Sequence, residues 1–235
     1  MPTKYWLKFL LGVAILLLAS GCSSLTDAKG EANQSSVGSE GPTLSLMIGG
    51  NEMLKASDKQ LSENYRKGIT IYELLNGSGV ATFSSDHRSI LTVRKISLGP
   101  ELKWDLKMDG ESIGEADLER TVGSSSHLVI TPKSKTSEDP PQTVMLTVNG
   151  GSEQVDLYHS YLRLFTEDMT VRELLKNSSR VQLTEDNNRV LSVNDYTPLS
   201  NQVWKLKVNG KLLLDNGMDM KLKPLDELEI LLTIR

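Results

Sequence analysis

Apolar positions along the chain fall into two regimes. The first is an unbroken run, Phe9 to Leu18, near the amino terminus. The second begins after residue 42, where short stretches of alternating apolar and polar residues are separated by Gly, Asn, Asp and Pro. Alternation with a period of two predicts strands, and the punctuating residues predict turns. TLSLMIG (43–49) is the first such stretch, and TVMLTVN (143–149) has the same outline.

That spacing recurs along the whole chain. TIYELL (70–75) returns as TVRELL (170–175), and Trp104, Leu106, Lys107 and Gly110 return as Trp204, Leu206, Lys207 and Gly210. A shift of one hundred gives about seventeen identities over roughly ninety positions, where composition alone gives about five. A period this long is a duplicated domain, not a solenoid unit of roughly 20–50 residues. PKSKTSEDPPQ (132–142) separates the copies and reads as a polar linker. The expected organisation is therefore repeat 1 over 43–131 and repeat 2 over 143–235.

Each copy opens with a strand. The segments around 52–65 and 152–165 differ between copies and are expected to hold a second strand and a loop. Thr70-x-x-Glu73 and Thr170-x-x-Glu173 are capping boxes that start a short helix. Gly77-Ser78-Gly79 and Asn177-Ser178-Ser179 end it. Strands follow, joined by turns at Asp86-His87-Arg88 and Asp186-Asn187-Asn188. WDLKMDG and WKLKVNG finish in dipeptides suited to tight hairpins. HLVIT and ELEILLTI close the copies. The fold class is α+β, a mixed sheet with one short helix in each repeat.

The amino terminus changes the picture of where the protein resides. Lys4 and Lys8, the apolar run and Ala19-Ser20-Gly21-Cys22 follow the order of a signal peptide (1–21). The ending ASGC resembles a bacterial lipobox, so Cys22, the sole cysteine, is expected to carry lipid. Residues 22–42, rich in Ser, Gly, Glu and Asn, read as a flexible tether. The expected location is the extracytoplasmic face of the cell membrane. Removing residues 1–21 takes the net charge from −4 to about −6. An acidic chain without a basic run excludes nucleic acid as a main partner. His87, His127 and His159 lie far apart, and no metal-ligand spacing is present. No GxSxG, HExxH, P-loop or dinucleotide fingerprint appears, and no cofactor is implied. The expectation is a protein that is not an enzyme.

The set TVRELL, Trp204-x-x-x-x-Asn209-Gly210 and LKPLDELEILLTI resembles the transcobalamin-like C-terminal domain family, which has a β-grasp fold. Leu222-x-x-x-Asp226-Glu227-x-Glu229-Ile230 is similar to that family's closing element, with Leu225 where Gly is usual. The first copy, VGSSSHLVI, departs further. The resemblance implies two tandem β-grasp-like domains. It also points to a corrinoid-like ligand, although the large helical partner domain of cobalamin carriers is absent.

Trp104 and Trp204 either plug the sheet–helix core or stack on a flat ligand. Tyr158 and Tyr161, in VDLYHSYLRLF, mark either a binding surface of repeat 2 or half-buried strand positions. The loops at 97–103 and 197–203 precede the tryptophans, a usual place for recognition. Two functions follow as expectations. One is capture of a small ligand beside the membrane, and the other is an envelope adaptor that binds a protein partner.

Overall fold

A computed structural model describes residues 41–55, 58–214 and 217–235. The signal peptide, Cys22 and the tether up to residue 40 lie outside the described residues. Repeat 1 contains β1 (Thr43–Ile48), β2 (Asn51–Lys55), α1 (Asp58–Asn64), α2 (Ile71–Gly77), β3 (Ala81–Phe83), β4 (Ile90–Val93), β5 (Ile96–Leu98), β6 (Leu102–Met108), β7 (Glu111–Ile113) and β8 (His127–Ser134). Repeat 2 contains β9 (Thr143–Asn149), β10 (His159–Leu164), α3 (Val171–Lys176), β11 (Val181–Leu183), β12 (Val190–Val193), β13 (Gln202–Val208), β14 (Lys211–Leu212) and β15 (Glu227–Ile234).

Each repeat is a β-grasp-like mixed sheet. In repeat 1 the order is β2-β1-β8-β6-β7, and the central pair β1–β8 is parallel. In repeat 2 the corresponding order is β10-β9-β15-β13-β14, with β9–β15 parallel. Leu44, Leu46, Ile48, Leu128 and Ile130 alternate inward and meet Ile71, Leu74 and Leu75 of α2 in one buried cluster. Val144, Leu146, Val148, Leu228 and Ile230 meet Val171, Leu174 and Leu175 of α3 in the other. Both capping boxes are formed: Thr70 and Thr170 accept from the N–H of Glu73 and Glu173, whose carboxylates accept from the threonine N–H.

The turn chemistry is also as expected. Asp109 and Gly110 have φ of 54° and 84°, and Asn209 and Gly210 have 49° and 77°. Asp109 Oδ1 accepts from His127 N–H at 2.7 Å, and Asn209 Oδ1 accepts from Glu227 N–H at 2.9 Å. These side chains therefore tie the hairpins to the closing strands. The helix is fastened to the β3–β4 or β11–β12 turn in two different ways. Tyr72 stacks on His87 with ring centroids 4.4 Å apart, whereas Arg172 donates to the carbonyl of Asn187 and pairs with Asp219.

The variable segments differ in order as well as sequence. Repeat 1 forms its second strand at once and adds α1; repeat 2 first makes a turn and then forms β10. Gly150 is required there, because a Cβ would lie 1.9 Å from the carbonyl oxygen of Gln154. The segment expected to be linker is partly strand, since β8 runs on through Pro132 to Ser134 and pairs with β6.

The repeats are fused. All their described residues fall within one compact unit. β10 of repeat 2 pairs in parallel with β5 of repeat 1, extending the second sheet to eight strands, β14-β13-β15-β9-β10-β5-β4-β3. Leu162 and Met145, 1% and 8% exposed, belong to the core of repeat 1 although they come from repeat 2. This explains why β9 is buried at every position from Thr143 to Val148. One face covers its own helix, and the other closes the neighbouring repeat.

Candidate functional site

The inter-repeat joint defines a place that exists twice in the chain and is filled once. In repeat 1, Lys95 turns with φ 62° and offers its carbonyl to Ser160 N–H at 3.0 Å. Gly99 N–H then donates to the carbonyl of Leu162 at 2.7 Å. Leu162 and Met145 fill the space beside β5, joined by the partly buried Leu98, Trp104 and Leu164.

In repeat 2 the corresponding space is an open groove of about 970 Å³. Its wall is the 197–200 loop, and its other sides come from β12, β13 and the stretch after β14. Val190, Trp204, Leu206, Leu213 and Met218 give it an apolar lining. Leu199, Leu212 and Leu214 remain exposed along it. Arg189, Lys205 and Arg235 also border it.

The backbone edge of this groove is not free. Gln202, where repeat 1 has Leu102, accepts from Leu199 N–H at 3.1 Å and from Tyr196 O–H at 2.7 Å through the same Oε1. Leu199 N–H is the counterpart of the Gly99 N–H that holds Leu162. Gln202 thus takes the place of an incoming strand at that hydrogen bond. Tyr196 in turn meets Trp204 edge-on, with centroids 6.1 Å apart.

The four aromatic candidates do not share one site. Trp204 lines the groove but is itself 7% exposed and part of the repeat 2 core. Trp104 packs half-buried against the core of repeat 1. Among the described residues, the indole N–H of each is buried without a partner. Since that holds in the filled copy as well as the open one, the orphan donor belongs to the fold and does not report a ligand. Tyr158 is 44% exposed, with Lys95 Nζ 6.0 Å from its ring centroid. Tyr161 lines a separate polar hollow of about 330 Å³ where the repeats meet, together with Ser97, His159, Arg180, Asn194 and Asp195.

In that hollow His159 Nε2 lies 2.7 Å from Ser97 Oγ, bridging β10 and β5. Burial holds the His159 pKa below its ordinary value, and Arg180 and Lys95 add repulsion to the same effect. Asp86 and Asp186 sit in turns, where the Ser84 and Thr184 hydroxyls and the backbone N–H groups of Arg88 and Asn188 hold their carboxyls below the usual range. They are turn-forming residues. Among the described residues, no group of three or more His, Cys, Asp or Glu could hold a metal ion.

No family model matches the chain, and no curated protein matches it. Among solved structures it is similar to a candidate metal-binding protein from Ruminococcus gnavus, at 16% identity and a TM-score of 0.34. That likeness covers 40% of this chain and 98% of the other. It bears on no residue described above.

Proposed function

We propose that the protein is an extracytoplasmic lipoprotein, held on the membrane by lipid on Cys22, that captures a small ligand in the groove of repeat 2 without catalysis. The observation that supports this is the contrast between the copies. The space that repeat 1 closes with Leu162 and Met145 is left open in repeat 2. Its volume is at the upper end of the roughly 300–1,000 Å³ usual for small-molecule sites. The adaptor reading, in which a partner strand extends the sheet, meets an edge whose Leu199 N–H is already bonded to Gln202. Corrinoids come first as ligands by the family resemblance, and other flat ligands second.

Residues 23–235, prepared without lipid, are titrated with cobalamin, cobinamide and haem while thermal unfolding is followed. Saturable stabilisation that weakens in Leu199→Glu supports capture in the groove. Leu199 is exposed, so this change spares the core. A cooperative melt that none of these ligands shifts removes the corrinoid reading. The anchor is tested separately in cells, where Cys22→Ser should move the protein from the membrane to the soluble fraction.

A further inference from the structure

We infer that Leu225 of repeat 2 and Gly49 of repeat 1 form a latch that holds the two repeats at one fixed angle. Two turns point to it, each carrying a residue that its own backbone does not call for. Leu225 stands shortly before β15 with φ 70°, in the left-handed region that favours glycine and costs a leucine a factor of roughly five to thirty in the local equilibrium. Ser125, at the matching place in repeat 1, is not in that region. The turn around Leu225 is nonetheless held firmly. Leu225 N–H donates to the carbonyl of Thr143 at 2.7 Å, and the carbonyl of Asp226 accepts from Met145 N–H at 3.0 Å.

Gly49 is the opposite case. It opens the β1–β2 turn with φ 57°, a conformation that Asp109 and Asn209 adopt at the same place in the β6–β7 and β13–β14 turns. The turn alone therefore accepts Asp or Asn. What requires glycine is space. A Cβ on Gly49 would stand 2.1 Å from Leu225 Cδ2 and 3.1 Å from its Cγ, whereas a Cβ on Gly50 would meet nothing within 4 Å. One contact accounts for both departures: a leucine side chain of repeat 2 seated on bare backbone of repeat 1. It lies apart from the β5–β10 seam. That seam attaches β5, in the eight-stranded sheet, while Gly49 belongs to the β1–β2 turn of the five-stranded sheet. With both sheets of repeat 1 attached, repeat 1 cannot swing about β5 while Leu225 is seated. The latch is independent of any ligand in the groove.

Amide hydrogen exchange in residues 23–235, read residue by residue by NMR, tests the latch. Ser160 N–H and Gly99 N–H cross the joint, bonded to Lys95 and Leu162. Val122 N–H and Leu222 N–H, bonded to Ile69 and Met169, report on repeat 1 and repeat 2 separately. Gly49→Asn suits the turn but puts a Cβ on Leu225, and Leu225→Ala removes the seated end of the side chain. Both positions are exposed, so neither change enters a buried core. Each variant should speed exchange at Ser160 and Gly99 about tenfold while Val122 and Leu222 stay within about twofold. The double variant should be no faster than either single one, because each breaks the same contact. Joint amides that stay within about twofold of the native protein in either variant overturn the latch. Equal acceleration at all four amides also overturns it, since that marks a general loss of stability and no release of the joint. Effects that multiply in the double variant overturn it too, because they place the two residues in separate interactions.

Discussion

Gly99 donates its backbone N–H to the carbonyl of Leu162, 2.7 Å away and in the other repeat. One hundred residues on, Leu199 gives the matching N–H to the side chain of Gln202 at 3.1 Å. The same edge of the same fold is thus used once to join two domains and once closed on itself. In repeat 2 a polar side chain stands at the hydrogen bond where repeat 1 receives its neighbouring strand. Closing the edge leaves the apolar space beside it open, and this is the groove.

Gln202 is therefore expected to act through two hydrogen bonds at once. Gln202→Leu restores the residue of repeat 1 but strands the Tyr196 hydroxyl; Leu199 is exposed, so its N–H can turn to water. The expected cost is about 1–2 kcal/mol, measured by urea unfolding. Tyr196→Phe should cost much less in the Gln202→Leu background than in the native one. Additive costs in that double-mutant cycle would show that the two side chains are not coupled.

Leu162 should matter to the stability of both repeats. It is 1% exposed, and it is attached to repeat 2 while packed in the core of repeat 1. Leu162→Ala is expected to cost about 2–5 kcal/mol. The native protein should unfold in a single transition, and the variant should separate into two, with repeat 1 lost first. Calorimetry reads both features. A variant that retains one transition within about 1 kcal/mol of the native protein would mean that the joint contributes little.

Much of the single-repeat fold was legible in the chain. Local signals encode it: the Thr-x-x-Glu boxes, the Asp-Gly and Asn-Gly turns and the period-two strands each depend on neighbours within a few residues. The joint was not legible, because β5 and β10 are distant in sequence and pair in parallel across a domain boundary. One trace of it was present. TLSLMI has Ser45 where TVMLTV has Met145, and an apolar residue on the outward face of β9 signals a second buried side. The 197–203 loop, a usual place for recognition, forms one wall of the groove. Arg189 and Met218 carry no such local signal, since only the fold brings them beside Trp204. Tyr158 and Tyr161 share only chemistry with the tryptophans, and the structure places them at the joint.

The two capping boxes offer a matched pair of tests. Thr70→Ala and Thr170→Ala each remove the acceptor for the N–H of a glutamate in the first helical turn. About 1 kcal/mol should be lost in each case. The sites lie in separate cores, so the double variant should lose the sum to within roughly 0.5 kcal/mol. The shift of the urea midpoint at constant slope measures this. A marked excess in the double variant would indicate coupling carried through the joint.

Acid should weaken the joint through His159. Its pKa is lowered in the folded protein, first by burial and then by Arg180 and Lys95, from an ordinary value of 6.5. Asp156 and Asp195 also border the hollow, and the direction for His159 is downward. The unfolded chain therefore takes up the proton before the folded one. Stability from neutral His159 is complete above about pH 6.5 and falls as the pH drops from there through the lower folded pKa. This window is separate from that of Asp86, Asp186 and Asp219, whose lowered pKa values place their losses at more acidic pH, below about 4. Urea unfolding of the native protein and of His159→Gln, compared at neutral pH and near pH 5, isolates the effect. The native protein should lose more stability than the variant over that interval, since His87 and His127 are common to both. Equal losses would mean that the proton is accommodated at the joint without cost.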